Sequence, residues 1–248
     1  MPHTRIEVIG KTVQGRDLQM VTVTNFELPD AGKKTVWLQA RQHAWEAGTS
    51  HVMEGALLFA TSDDPLARQL REKVVFQFVP MMDPDGCANG QVRFNANGYD
   101  VNRHWNEVDL RRKEWLQRMP EIWYVKKALL GCVDSGRKID LMLNLHNTES
   151  AEFMDTQAGD EPVLARFRQF ESNLMERTTF DPTQKVAVRN APGNTTNSLY
   201  EKRQIPVLLM EQRIGFSQKL GRDPTAGDRL DFGRQLIAAM AETVLAKE

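Results

Sequence analysis

Two cysteines, Cys87 and Cys132, are all that the chain contains. Two thiols are too few for a disulfide framework or a cysteine-based zinc site, and we read both as reduced, buried small hydrophobes. No apolar run approaches the ~20 residues that span a bilayer. The N-terminus, MPHTRIEVIG, lacks the layout of a signal peptide. We therefore expect a cytoplasmic protein without membrane contact; a leader removed upstream would instead direct it to the periplasm or outside the cell. Neither sign of charge is in excess, since 32 Lys and Arg face 33 Asp and Glu for a formal net charge of −1. That balance excludes nucleic-acid binding through bulk electrostatics and leaves room only for a local basic pocket. Internal repeats, low-complexity tracts and linker-like charge runs are missing too. What is present is 41% hydrophobic residues, enough to bury a full core, in a length that suits one α/β domain.

The apolar pattern alternates between short runs and amphipathic stretches. Residues 6–9 (IEVI), 18–24 (LQMVTVT), 35–40 (TVWLQA), 74–79 (VVFQFV), 139–145 (IDLMLNL), 153–155 and 205–210 (IPVLLM) predict strands. Several are continuous apolar runs, as in strands buried on both faces. Between them, helices are predicted from Thr49 or Ser50 as cap to about Thr61, from Asp64-Pro65 onward, over 114–133 with a break at Pro120, and over 162–177, 198–203 and 225–247. Residues 80–90 and 182–197 read as turn and loop. Strands alternating with helices give an α/β fold with three layers, α/β/α, around a mixed, mostly parallel sheet.

Chemistry-bearing residues gather where buried strands run out. TVWLQA leads to His43 and Glu46, IDLMLNL ends at His146, and IPVLLM ends at Glu211. In open α/β sheets ligands bind beyond the carboxyl ends of strands. His43-x-x-Glu46 brings an imidazole and a carboxylate to one side of a turn. With one remote histidine they make His₂Glu, a standard catalytic zinc set whose fourth position is left to water. A single histidine is more often structural than a ligand, and H-x-x-E is common by chance. His3, His51 and His104 are taken as non-ligands. The stretch 91–105, QVRFNANGYDVNRHW, carries Arg93, Asn95, Asn97, Asp100, Asn102 and Arg103 around Gly98. Amides and guanidiniums suit a loop that holds a carboxylate, although a solvated Asn/Gly turn has the same composition. If neighbours Asn102 and Arg103 serve one site, the backbone there has to be irregular.

These motifs, in this order, resemble the zinc metallocarboxypeptidases of the carboxypeptidase A-like family. That family shows H-x-x-E, an N-P-D-G turn, R-x-N-x-x-G-x-D-x-N-R, a distant histidine and a glutamate after a buried strand. Here they read His43 to Glu46, Asp83-Pro84-Asp85-Gly86, Arg93 to Arg103, His146 and Glu211. VIGKTVQGRDL is similar to the family's opening, so the likeness runs from about Ile9 to Arg213. Within the family, HAWEAGTSHVMEG and YDVNRHW look most like the cytosolic carboxypeptidase branch, whose members trim glutamates from protein C-termini and side chains. The resemblance implies a carboxypeptidase A-like fold in one catalytic domain over residues 1–248. It implies one Zn²⁺ per chain on His43, Glu46 and His146, and Asp100 orienting His43. It also implies Arg93 stabilising the oxyanion, Asn102 and Arg103 holding the substrate carboxylate, and Glu211 as base and then acid for a zinc-activated water. The implied reaction is hydrolysis of a C-terminal peptide or isopeptide bond, with a peptide or protein C-terminus as partner, glutamate-rich in the cytosolic branch. Asp83 replaces the family's Asn, and the family's carboxylate-capping tyrosine has no counterpart, Tyr200 lying too close to Glu211. The N-terminal β domain usual in the cytosolic branch has no match in these residues.

Lys185, Arg189, Lys202 and Arg203 fall between His146 and Glu211, in the segment that the resemblance places around the released side chain. We expect a buried cation there, Arg189 first and Lys185 second, and a preference for acidic residues; the plainer reading leaves both as solvated loop charges. Two other functions fit part of the pattern. One is a zinc-dependent deacylase of N-acyl amino acids, similar to succinylglutamate desuccinylase or aspartoacylase; the helix that follows Glu211, in place of their β domain, weighs toward the peptidase. The other is a ligand-binding relative without turnover.

Overall fold

The computed structural model describes residues 1–246. In chain order its elements are β1 (Thr4–Lys11), β2 (Asp17–Val23), β3 (Lys34–Gln39), α1 (Gly48–Thr61), α2 (Pro65–Lys73), β4 (Val74–Val79), α3 (Pro84–Asn89), α4 (Lys113–Arg118) and α5 (Pro120–Asp134). They continue with β5 (Leu141–Thr148), β6 (Phe153–Thr156), α6 (Glu161–Arg177), β7 (Ala187–Val188), α7 (Thr195–Arg203), β8 (Val207–Arg213) and α8 (Ala226–Leu245). The strands form one eight-stranded sheet in the order β1-β2-β4-β3-β5-β8-β6-β7. The centre, β4-β3-β5-β8, is parallel throughout, and antiparallel pairs join β1, β2 and β6 to it. This is the mixed, mostly parallel sheet expected from the sequence.

Alternation along each central strand sends its side chains to two separate cores. Val36 and Leu38, with Phe76, Phe78, Leu143 and Met210, pack among residues of α1, α2, α6 and α8. Trp37, Val79, Met142 and Val207 face the opposite way, against α4, α5, Leu199 of α7 and the loop residues Val101, Trp105 and Val108. With both faces covered, VVFQFV has no polar side to show and is buried at every position. Among the described residues no helix is long and apolar enough to cross a membrane. Cys87 and Cys132 are free but half-buried, less enclosed than their small apolar character suggested.

The differences from the sequence reading lie at element ends. Neither Thr49 nor Ser50 caps α1: the helix starts at Gly48 without a side-chain cap, and Thr49 Oγ1 donates back to Glu46 O at 2.8 Å. The 80–90 turn contains α3, with Asp83 Oδ1 accepting from Gly86 N at 2.8 Å. The 182–197 loop supplies β7 and the first turn of α7. His146 and Glu211 sit inside their strands rather than at the ends, because the parallel ladder continues through His146↔Glu211, Asn147↔Gln212 and Thr148↔Arg213. Backbone pairing needs no apolar side chains, so the end of an apolar run marked those boundaries too early. Lys247, the last residue of the predicted C-terminal helix, lies outside the described residues.

Candidate metal centre

β3 ends at Gln39, and the chain is then held by its neighbour across the sheet. Ala40 N donates to Val79 O, Met82 N to Ala40 O and Asp83 N to Arg41 O, each at 3.0–3.2 Å. Arg41 turns the backbone through the left-handed region at φ 58°, and its guanidinium donates to Ser50 Oγ and Ala44 O. The tight turn that follows, Glu46 N to His43 O at 3.3 Å, puts both side chains on one side. His146 arrives from the middle of β5. The three groups converge in the interior, His43 and Glu46 each 3% exposed and His146 0%. His43 Nδ1 lies 2.8 Å from Glu46 Oε1, His146 Nδ1 lies 3.0 Å from Glu46 Oε2, and the two rings are 4.9 Å apart at their centroids.

Both Nδ1 atoms face Glu46, and the outer ring atoms meet side chains of the surrounding shell. His43 Nε2 lies 3.0 Å from Asp100 Oδ1, and His146 Nε2 lies 3.1 Å from Gln42 Oε1 and 2.9 Å from Asn144 Nδ2. A ring that donates its Nε2 proton to an oxygen, as His43 does to Asp100, keeps its lone pair on Nδ1. One donor atom from each of His43, Glu46 and His146 falls within a 4.8 Å cluster. Glu46 Oε2 is buried without an aligned hydrogen bond, so this carboxylate has capacity left over. Two imidazole nitrogens and an ionised carboxylate make a donor set for a divalent cation, and His₂Glu suits zinc. Charge agrees. Burial pushes Glu46 toward its neutral form, but His146 and His43 outweigh it and hold the carboxyl at about 2. Burial also disfavours charge on His43, and the Asp100 and Glu46 carboxylates still raise it.

Asp100 ties this centre to the 91–105 loop. Its Oδ2 accepts from Arg93 Nε at 2.7 Å and its Oδ1 from Asn102 N at 2.8 Å. Burial opposes its charge, yet His43, the Asn102 amide and Arg93 keep it well below the usual carboxylate range. The loop has the expected irregular backbone, with Gly98 at φ 83° and His104 at φ 64°. Asn102 is 3% exposed; its Oδ1 accepts from Thr195 N and Oγ1 at 3.1 and 2.9 Å, and its Nδ2 lies 3.3 Å from His146 Nε2. Arg103 is exposed and donates to Asn102 O at 2.7 Å. Glu211 is the register neighbour of His146 on the same face of the sheet. Its Oε2 is buried with no hydrogen-bond partner among the described residues. Burial, with Glu46 and Asp155 close by, pushes its carboxyl up to about 7 against the pull of the two histidines.

Arg189 is not the buried, free cation expected from the sequence. Its side chain is 48% exposed, its Nε lies 3.0 Å from Asp155 Oδ1, and its guanidinium sits 5.1 Å from the Phe153 ring centre. Phe153 and Asp155 lie on β6, opposite Glu211 and Leu209, so the pair stands beside Glu211. The other cations are elsewhere: Lys185 acts on Glu171 of α6, Lys202 donates to Asn106 O, and Arg203 lies 3.3 Å from Asp134. Sequence reasoning missed Gln42, Asn144, Thr195 and Asp155. For Asn144 a signal existed, since it stands two residues before His146 and shares its strand face. Thr195 and Asp155 have no such signal, because only tertiary folding brings them to the site.

Comparisons with known proteins agree with this geometry. A family model described as zinc carboxypeptidase matches residues 2–151. Cytosolic carboxypeptidase 6 of Mus musculus is 41% identical over 101 residues, covering 40% of this chain and 19% of the mouse protein. A metallo-carboxypeptidase structure from Burkholderia cenocepacia superimposes with a TM-score of 0.84 at 23% identity over 98% of this chain and 65% of that one, a likeness of fold. A Pseudomonas aeruginosa metallo-carboxypeptidase, solved in complex with (2-guanidinoethylmercapto)succinic acid, gives a TM-score of 0.78 at 25% identity over 96% of this chain and 65% of that one. The chain thus spans less than two thirds of each of these relatives. A family match over residues 2–151 that takes in His43, Glu46 and the whole 91–105 loop, on a sheet that brings His146 to them, places the chain in the zinc carboxypeptidase family.

Proposed function

We propose that this chain hydrolyses the bond preceding a C-terminal residue of a peptide or protein. The observation that carries the reading is Glu211: a buried carboxylate with one unpartnered oxygen, set beside the His43, Glu46 and His146 donor set. One zinc ion held by those three side chains would supply Lewis acidity at the scissile carbonyl. Glu211 takes the proton of the attacking water and then delivers it to the departing amine, and a carboxyl pushed up to about 7 suits both transfers near neutral pH. Arg93, oriented by Asp100, donates to the carbonyl oxygen as it gains charge. Arg103 receives the substrate's carboxylate, and Asn102 shapes the same loop from beneath.

For the released side chain, release of acidic residues, including those on glutamate-rich tails or isopeptide branches, requires Arg189 to turn from Asp155 toward the substrate. Asp155 favours a second reading, a basic residue, since a cationic side chain could replace Arg189 on that carboxylate. The ligand of the Pseudomonas relative carries a guanidine, which supports weighing that reading. The experiment is hydrolysis of peptides ending in Glu, Lys or Leu, alongside N-acyl amino acids, by wild type and Glu211→Gln. We expect peptide cleavage that falls by about 10²–10⁴ in Glu211→Gln while bound zinc stays unchanged. Loss of zinc in that variant would make Glu211 a ligand, and cleavage of only the N-acyl amino acids would make the enzyme a deacylase.

A further inference from the structure

On the sheet face that carries α5 and α7, a cleft of about 720 Å³ opens between those helices and the 106–112 loop. Its volume lies in the range of small-molecule sites, roughly 300–1,000 Å³. Its charge differs from that of the whole chain, whose net is −1. Six cations line it: Arg111, Arg112, Lys126, Lys127, Lys202 and Arg203. Against them stand only Glu107, Asp109 and Asp134.

The cations are not equally satisfied. Arg111 grips Asp109 and Arg112 grips Glu114, both at the exposed rim. Lys126 is different. It is 7% exposed, and its ammonium donates to two backbone carbonyls, Trp105 O at 2.7 Å and Val108 O at 2.6 Å. An ammonium has three donors, so one remains. No carboxylate lies in ion-pair range of Lys126 among the described residues. Lys202 likewise leans on a carbonyl, Asn106 O, and Arg203 has a single 3.3 Å contact with Asp134. Burial, together with the charges of Lys202 and Arg203, pushes the Lys126 ammonium down to about 8, outweighing the help of Asp109. Lys126 and Lys202 have carbonyls in place of counter-charges and Arg203 a single carboxylate contact, so an anion between these three cations would relieve their mutual repulsion.

We propose that this cleft is a binding site for a small, multiply charged phosphate compound, separate from the hydrolytic centre. Lysine point charges and an arginine fork together suit phosphate oxygens. A small ligand fits better than an extended polyanion, because Glu107, Asp109 and Asp134 interrupt the basic surface on the cleft walls. The bound anion would join α5 through Lys126 to α7 through Lys202 and Arg203. It would also brace the loop whose upstream end is Asn102.

Equilibrium dialysis with inorganic pyrophosphate at fixed ionic strength, using the metal-loaded protein, tests the site. We expect one saturable site per chain, at least tenfold weaker in the double variant Lys202→Ala/Arg203→Ala and unchanged in Lys73→Ala, a solvated lysine on another helix. Lys202 and Arg203 are exposed, so the double variant should fold, whereas Lys126→Ala removes the two loop contacts as well. Pyrophosphate also sequesters metal, but the double variant keeps His43, Glu46 and His146, so any loss it shows belongs to the cleft. Non-saturable uptake, or equal binding by the double variant, overturns the proposal. So does saturable binding of an octaglutamate peptide without binding of pyrophosphate, which would mark a docking surface for acidic chain instead.

Discussion

Asp100 shows how much of the centre depends on one side chain. It accepts from Arg93, from the Asn102 amide and from His43 Nε2, so it sets the tautomer of a metal-binding ring and the direction of a guanidinium together. Replacing it with Asn keeps the size but offers an NH₂ to one of those donors. We expect Asp100→Asn to weaken zinc binding by about 10–100-fold, the usual effect of losing a carboxylate behind a ligating histidine. Competition with a chelator of known affinity is the measurement, and unchanged affinity would show that His43 is oriented without Asp100. The sequence already contained His43, Glu46, Asp100 and His146 in a readable order. It could not reveal that Arg189 would meet Asp155, since that contact depends on β6 and β7 pairing beside each other.

Among the elements, α1 and α8 approach more closely than side chains normally permit. A Cβ on Gly55 would fall 2.0 Å from Leu230 O, and one on Gly233 would fall 1.9 Å from Val52 O. Both obstacles are backbone, so a helix has to move. Gly233→Ala is therefore expected to destabilise the fold by about 1–3 kcal/mol despite alanine's better helix propensity. Denaturant unfolding measures it, and a gain in stability would mean that the helices separate freely. The opening turn of α5 holds another constraint. Glu121 is 0% exposed, accepts from Asn95 Nδ2 at 2.8 Å and leaves Oε1 unpaired. Burial pushes its carboxyl up to about 7 from an ordinary value of 4.5, and Asp83 and Asp85 add to this against the Asn95 hydrogen bond. A carboxyl raised in the folded state favours folding fully below the unfolded value and loses that contribution as pH rises through the folded one. Wild type should thus lose on the order of 3 kcal/mol between pH 4.5 and 7 from this group. In Glu121→Gln that loss should vanish, so the variant gains on wild type above pH 7 and the two converge near pH 4. A difference in Tm that stays constant over this range would rule the account out.

At the scale of the molecule, the proposed zinc joins the turn between β3 and α1 to β5, segments far apart in the chain. A ligand that binds only the folded state adds RT ln(1 + [L]/Kd), about 4 kcal/mol at a thousand times Kd. Chelation should therefore lower Tm by on the order of 10 °C, and His146→Ala, already without a ligand, should respond little. Equal shifts in both proteins would separate the metal from this cluster.

The sequence by itself determined the α/β alternation, the buried central strands and the order of the site motifs. These follow from local periodicity and from residue types that only certain chemistry requires. It also contained Asn144 two residues from His146, on the same strand face. Tertiary structure alone decided that His146 and Glu211 stand side by side in one ladder. It likewise decided that Thr195 supports Asn102, that Asp155 occupies Arg189, and that Lys126 lies buried beneath the loop it holds. Each of these is a contact between distant segments, set by strand order and by the closeness of packed layers, and neither leaves a periodic trace in the chain.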